Sequence, residues 1–352
     1  MNTAVYYSPR FLEHDPGPDH PETPNRLRVI VDELSRSGLL KPEKCTYAEP
    51  KPAKPEDLQL VHETDYIKLI EKTCAAGGGV LDLGDTVISP KSYEVATFAV
   101  GALTDAVNAV VEEKAKNAFA LVRPPGHHAG AYYPLGFCIF NNIAVAASYL
   151  LNHLGFSRIL IIDVDAHHGN GTQEIFYNTD EVLYLSLHQD PTGFPGTGFA
   201  DEAGEGRGIG YTVNVPLPFK TDDATYLRAF DEIAVPIAVQ YSPEFMLVSA
   251  GFDGHYSDPV GDLALSMKGY EEMFVKIVGL AAQLCEEKLV VSLEGGYSLG
   301  FLGKMVTSAL SKLAHASYII RDKRPVADPR VLRKAEQNIS NVKRIQSMYW
   351  KL

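Results

Sequence analysis

The chain has 352 residues, 45% of them hydrophobic and 22% charged, with a formal net charge of -12. This is ordinary globular composition, long enough to bury a sizeable core without disulfide staples. Its acidity argues against direct binding to nucleic acid or to an anionic membrane, and no Lys/Arg run offers a local exception.

Residues 1–15, MNTAVYYSPRFLEHD, contain no apolar stretch of the signal-peptide kind. No apolar run reaches the ~18 residues of a membrane span. Cys45, Cys74, Cys138 and Cys285 form no CxxC pair and read as reduced thiols. A cytoplasmic location is the resulting expectation. Pro/Gly-rich stretches at 14–24, 50–55, 76–86, 123–136 and 190–210 read as loops. No linker or repeat divides the chain, so a single domain over 1–352 is expected.

Short β-branched runs recur at 118–122 (AFALV), 158–166 (RILIIDVDA), 182–187 (VLYLSL), 245–253 (FMLVSAGFD) and 289–296 (LVVSLEGG). Continuous apolar runs of this length suit strands buried on both faces of a parallel sheet. Helical spacing of apolar residues marks 95–111, 139–154, 226–240 and 270–285. The alternation predicts an α/β fold with a mostly parallel sheet and helices on both faces. At 329–350, Leu332, Ala335, Ile339, Val342 and Tyr349 give an amphipathic helix. It is expected to pack on its own domain, with a homo-oligomer contact as the alternative.

Chemistry gathers at the carboxyl ends of these strands, where open α/β sheets place ligands. After the second run, Asp163, Asp165 and His167 alternate, and in a strand they would share one face. Three such groups are costly to bury without a cation. The fourth run places Asp253 at another strand end. One His and two Asp make an open three-ligand set of the catalytic zinc kind. The reading requires those two strand ends to converge.

After the first run, His127 and His128 can serve as acid and base beside the metal. Each needs an acceptor to fix its tautomer, and Asp163 and Asn170 are the candidates. The imidazole paired with the charged group is favoured as the cation. His128 is expected as the base, with the division of roles left open. Tyr297, after Gly295 and Gly296, can donate to a developing oxyanion. Cys138 has no base of its own and reads as packing.

These motifs resemble the histone deacetylase superfamily, especially its class II-like bacterial and archaeal deacetylases. The matching segments are HPETPNR (20–26), RPPGHHA (123–129), GFCIFNN (136–142), IDVDAHHGNGTQ (162–173), YLSLH (184–188), FPGTG (194–198), SAGFD (249–253) and LEGGY (293–297). The resemblance implies the arginase/deacetylase fold, with about eight strands. It implies one Zn²⁺ on Asp165, His167 and Asp253, Fe²⁺ being the alternative metal. It implies a tandem His127–His128 pair and Tyr297 as oxyanion donor. Gly136, Phe137 and Phe194 would line an acyl-lysine tunnel, with Gly295 at the site. Asp85 would accept from the substrate backbone, and loop 11–25 would form part of the rim. Structural K⁺ is also implied. Its inner site would use Asp163, Asp165, His167, Ser186 and Leu187. Its outer site would use Phe176, Thr179, Val182 and Tyr211.

Many class I members carry Asp where Asn170 stands, and animal class IIa enzymes carry His where Tyr297 stands. The ureohydrolase cousins carry an extra Asp after their DxH, which this chain lacks, so a single metal is expected. The resemblance implies an acetylated protein as substrate, or a small acetylated amine such as an acetylpolyamine. A non-catalytic acyl-lysine binding module is the remaining alternative. Polyamine-selective relatives place a carboxylate at the mouth. Here the corresponding position is the apolar Val260, with Asp258 and His255 nearby.

Overall fold

The five apolar runs become the five adjacent strands at the centre of one sheet. The computed structural model describes residues 2–82 and 84–352. Its strands are β1 (Thr3–Tyr6), β2 (Cys45–Ala48), β3 (Gly79–Val80), β4 (Val87–Ile88), β5 (Asn117–Ala120), β6 (Ile159–Asp163), β7 (Val182–Gln189), β8 (Thr212–Leu217), β9 (Phe245–Ala250) and β10 (Leu289–Leu293). Eight of them form a sheet in the order β2-β1-β5-β10-β9-β6-β7-β8, and every pairing in it is parallel. β3 and β4 make a separate antiparallel pair within and beside the stretch expected to be loop at 76–86. β5 to β7 are fully buried, as are β9 and β10, which is why these segments read as unbroken apolar runs.

The register aligns one polar row across the sheet. Ser292 pairs with Ser249, Ser249 with Asp163, Asp163 with Ser186, and Ser186 with Asn214. Partners in register project to the same face. In β10, β9 and β6 the row lies at or next to the carboxyl end, just below the loops that carry the site.

Helices surround the sheet. Ser92–Val111 packs on Asn142–His153, and Leu299–Leu313 packs on both Asn25–Arg36 and Met267–Cys285. Ser92–Val111 corrects one expectation: by length and composition it could cross a membrane. Here it is a buried helix, packed on β5 and β10. The helix expected over 139–154 begins only at Asn142, because the Asn141 side chain accepts from the amide of Ala144 at 3.1 Å and caps it. The stretch 226–240 belongs to a longer helical run interrupted by a wide π-type turn at Phe230–Ala234. Pro236 follows that turn and has no N–H with which to continue a regular ladder.

The C-terminal helix, Pro329–Gln346, packs on β8, the sheet's edge. Asn338 donates to the carbonyl of Pro216 at 3.0 Å, and Gln346 to that of Thr212 at 3.2 Å. Ala335, Ile339 and Val342 are buried as the pattern required, but Leu332 and Tyr349 are exposed. Tyr349 lies beyond the helix end.

Candidate active site

The loops after β5, β10, β9 and β6 converge because those strands are neighbours in that order. β6 ends at Asp163, so the strand pleat does not carry Asp165 and His167. Turn hydrogen bonds do instead. Asp163 Oδ1 accepts from the amide of Asp165 at 3.2 Å, and Asp165 Oδ1 from that of His167 at 2.9 Å. β9 likewise stops at Ala250, and Asp253 Oδ1 accepts from the amide of Ala166 at 2.9 Å.

The donor atoms of Asp165, His167 and Asp253 all lie within 4.8 Å of one another, and all three residues are buried. His167 Nδ1 is 2.8 Å from Asp253 Oδ2 and 3.4 Å from Asp165 Oδ1. A Cβ on Gly251 would sit 1.9 Å from Asp165 Oδ2, and one on Gly295 would sit 2.6 Å from the same atom. Only glycine lets the chain pass this close.

The electrostatics favour a cation here. Among the described residues, no Lys or Arg pairs with Asp163, Asp165 or Asp253. Burial, reinforced by Asp165, pushes Asp253 up to about 7. Burial would lower His167, but Asp165 and Asp253 outweigh it and hold it up at about 10. Two buried carboxylates facing one imidazole make a site that a divalent ion would neutralise. A His/Asp/Asp donor set fits Zn²⁺ or Fe²⁺.

The tandem imidazoles divide as the candidate acceptors suggested. His127 Nδ1 lies 3.0 Å from Asp163 Oδ2, and His128 Nδ1 lies 2.8 Å from Asn170 Oδ1. Burial lowers both. For His127, Asp163 and Asp165 overcome it and raise the ring to about 10. For His128, the charge of His127 adds to burial, and the ring is held well below its ordinary value. Asn170 Nδ2 donates to the carbonyl of His128 at 3.3 Å, which orients the amide. His128 Nδ1 therefore carries the proton and Nε2 is left free. Tyr184 donates to Asp163 Oδ2 at 2.9 Å and steadies that carboxylate.

Asp165, His167, His127 and His128 line a cavity of about 290 Å³. Its walls include Asp85, Gly136, Phe137, Phe194, Val260, Gly295 and Tyr297, together with Pro125, which the sequence reading did not single out. Phe194 stands edge-on to His128 with ring centres 5.0 Å apart, and Phe137 edge-on to Tyr297 at 5.7 Å. His20 does reach the rim, its ring 4.7 Å from Phe137 and its Nε2 2.9 Å from the Asp85 carbonyl. Burial and the neighbouring Asp82 push the Asp85 carboxyl up to about 6. Burial holds the Tyr297 phenol well above its ordinary value, so it stays a donor. Cys138 is buried, and burial pushes its thiol well up, against any nucleophilic role.

The residues proposed for potassium fall into two groups. Asp163, at the end of β6, is paired in register with Ser186 inside β7, next to Leu187, whose carbonyl accepts from Tyr226 at 3.0 Å. Phe176 and Thr179 share a turn, its hydrogen bond 3.3 Å long, which precedes Val182 at the start of β7. The Tyr211 carbonyl, just before β8, accepts from the Tyr184 amide of β7 at 2.9 Å.

Several residues that hold the site were not singled out from sequence. Glu22, Arg26 and Arg123 form a fully buried ion cluster. Arg26 continues from it to the site. Its Nε donates to the carbonyl of Gly296 at 2.7 Å, another of its nitrogens to that of Glu294, and its guanidinium lies 4.8 Å over the Tyr297 ring. Glu294 accepts from the amides of Gly126 and His127 at 2.7 and 3.3 Å and from Ser249 Oγ at 3.1 Å. The available signal was Glu294 set among apolar and small residues in LEGGY, since a buried charge requires partners; polar HPETPNR gave no such contrast. Glu294→Ala should cost about 1–3 kcal/mol by stranding buried donors. A urea titration checks this, and an unchanged midpoint would count against it.

Comparison with known proteins agrees with this geometry. Residues 20–313 match the model of the histone deacetylase domain. The chain belongs to the histone deacetylase family. It is 41% identical over 360 residues to a probable deacetylase of Archaeoglobus fulgidus, covering 100% of this chain and 99% of that one. It is 37% identical to a histone deacetylase-like amidohydrolase of Pseudomonas aeruginosa, covering 86% of this chain and 78% of that one. With histone deacetylase 15 of Arabidopsis thaliana it shares 39% identity, over 89% of this chain and 56% of that longer protein. The crystal structure of the HDA15 HD domain superposes with a TM-score of 0.89 at 35% identity, over 99% of this chain and 96% of that one. The arginase/deacetylase fold expected from the motifs is the fold of this histone deacetylase-family deacetylase.

Proposed function

We propose that the chain is a zinc-dependent amidohydrolase that removes acetyl groups from N-acetyl-lysine side chains of proteins. The carrying observation is that Asp165 and His167, within donor distance of buried Asp253, face one cavity with the paired imidazoles and the Tyr297 phenol, walled by Phe137 and Phe194. Flat aromatic walls suit an alkyl stem, and the polar groups await an amide at its end.

A divalent cation on the trio would acidify a water molecule and polarise the substrate carbonyl. His128, neutral and with Nε2 free, takes a proton as the amide carbon is attacked. The Tyr297 O–H donates to the oxygen that gains charge. His127, held cationic beside Asp163, adds positive charge next to His128, with ring centres 4.0 Å apart. One imidazole of the pair returns a proton to the departing amine. Asp85 at the mouth is suited to accept from a substrate backbone N–H. Structural K⁺ at Asp163, Asp165, His167, Ser186 and Leu187, and at Phe176, Thr179, Val182 and Tyr211, belongs to the same reading.

A polyamine substrate is the second reading, and two contacts weigh against it. Asp258 spends its carboxylate on backbone amides, and His255 is paired with Asp322 at 3.1 Å. Neither is free to read a distant ammonium beside the apolar Val260.

Side-by-side kinetics on acetyl-lysine peptides and acetylspermidine test the substrate. Dialysis against a chelator should abolish turnover, and Zn²⁺ should restore it, with Fe²⁺ assayed in parallel. At about 100 times its dissociation constant, Zn²⁺ should also add about 2.7 kcal/mol to stability in denaturant titrations. Activity that survives full metal removal would end the proposal.

A further inference from the structure

We infer that Asp258 is a positioning residue that ties the tunnel mouth to Tyr297, so that a substrate pressing on Val260 bears on the oxyanion donor. The inference rests on the reading of Tyr297 given above.

One carboxylate joins two loops. Asp258 Oδ2 accepts from the amides of Tyr297 at 2.7 Å and Ser298 at 2.9 Å. Its Oδ1 accepts from those of Val260 at 3.0 Å and, more weakly, Gly261 at 3.4 Å. Hydrogen bonds to an ionised acceptor are stronger than neutral ones. A second tie runs beside it: Ser257 Oγ lies 2.9 Å from Ser298 Oγ and 2.8 Å from His255 Nδ1.

The Tyr297 loop needs such an anchor. Gly295 and Gly296 precede it, and Gly296 has φ +117°, in the region open to glycine. Arg26 restrains the loop from the side of the core, through the Gly296 carbonyl and the phenol ring. Asp258 restrains it from the side of the mouth. With four amides on its two oxygens, Asp258 is saturated and does not contact substrate. Asn at this position has nearly the same volume but only one acceptor oxygen. It can hold the Val260 amide or the Tyr297 amide, not both, and the coupling breaks.

A double-mutant cycle with Tyr297→Phe tests this on an acetyl-lysine amide. Alone, Asp258→Asn should lower kcat by about tenfold to 100-fold with little change in KM, the scale expected when a donor is misplaced by about 1 Å. In the Tyr297→Phe background it should cost less than about twofold, because the donor it aims is gone. An equal factor in both backgrounds, or no effect on kcat alone, overturns the inference. Ser298→Ala, which removes the second tie, follows the same cycle with a smaller effect should Asp258→Asn fail to fold.

Hydrogen exchange reads the coupling without turnover. Asp258→Asn should speed exchange at both 258–262 and 295–299, and acceleration confined to 258–262 refutes it. A wild type without turnover, or Tyr297→Phe without effect, would fault the deacetylase reading instead, and the exchange result would still decide the coupling.

Discussion

Tyr297→Phe is expected to lower kcat on an acetyl-lysine amide by about 100- to 1000-fold, the cost of losing one oxyanion donor. The substitution deletes a single oxygen. The ring keeps its place over Arg26 and its edge contact with Phe137, so the fold has little reason to respond. The phenol is suited to the task because burial holds its pKa well above the ordinary value, which keeps the proton on the oxygen. Its bond strengthens only as negative charge develops, so the loss should fall on kcat and leave KM nearly unchanged. Steady-state kinetics, with the metal content of both proteins measured, would decide it. A loss under about threefold would assign the donor elsewhere.

How much of this was legible depended on burial and on distance along the chain. The five central strands declared themselves because both of their faces are covered, which leaves no polar alternation. β2 was not singled out, since half-exposed Cys45–Ala48 carries mixed residues at the sheet edge. β8 was not either, since Thr212–Leu217 contains Asn214 and Pro216. The metal-ligand candidates were legible because they follow strand ends at short range, although the turn after Asp163, not the pleat, brings them together. The contacts that hold the Tyr297 loop were not. Arg26 meets Gly296 across 270 positions, and Asp258 meets Tyr297 across 39, and no local spacing encodes either contact. Glu294 inside LEGGY could have prompted the search for partners, but only the folded chain names them.

Glu22 carries the largest expected effect on stability. Its Oε1 and Oε2 take Arg123 Nε and Nη2 at 2.6 and 2.7 Å, and Oε1 also takes Arg26 Nη1 at 2.9 Å. All three side chains are essentially without solvent exposure. Arg123 goes on to the carbonyls of Phe11 and His14 at 2.8 and 3.1 Å. Removing the carboxylate charge leaves two guanidinium ions buried together. Breaking such a cluster costs about 3–5 kcal/mol, against a total of about 5–15 kcal/mol for an ordinary domain. Glu22→Gln should therefore lower the urea midpoint sharply at pH 7. Burial would raise the Glu22 carboxyl, but Arg123, the hydrogen bond from His14 and Arg26 together outweigh it and hold it well below the usual range. A depressed carboxyl contributes fully above its unfolded pKa of about 4.3 and loses that contribution as pH falls toward the folded value. The gap between wild type and Glu22→Gln should then narrow steadily below about pH 4.3. Titrations at pH 7 and in that acid range test both halves. A gap that stays constant with pH would mean that the loss comes from packing, and that the guanidinium pair tolerates its own company.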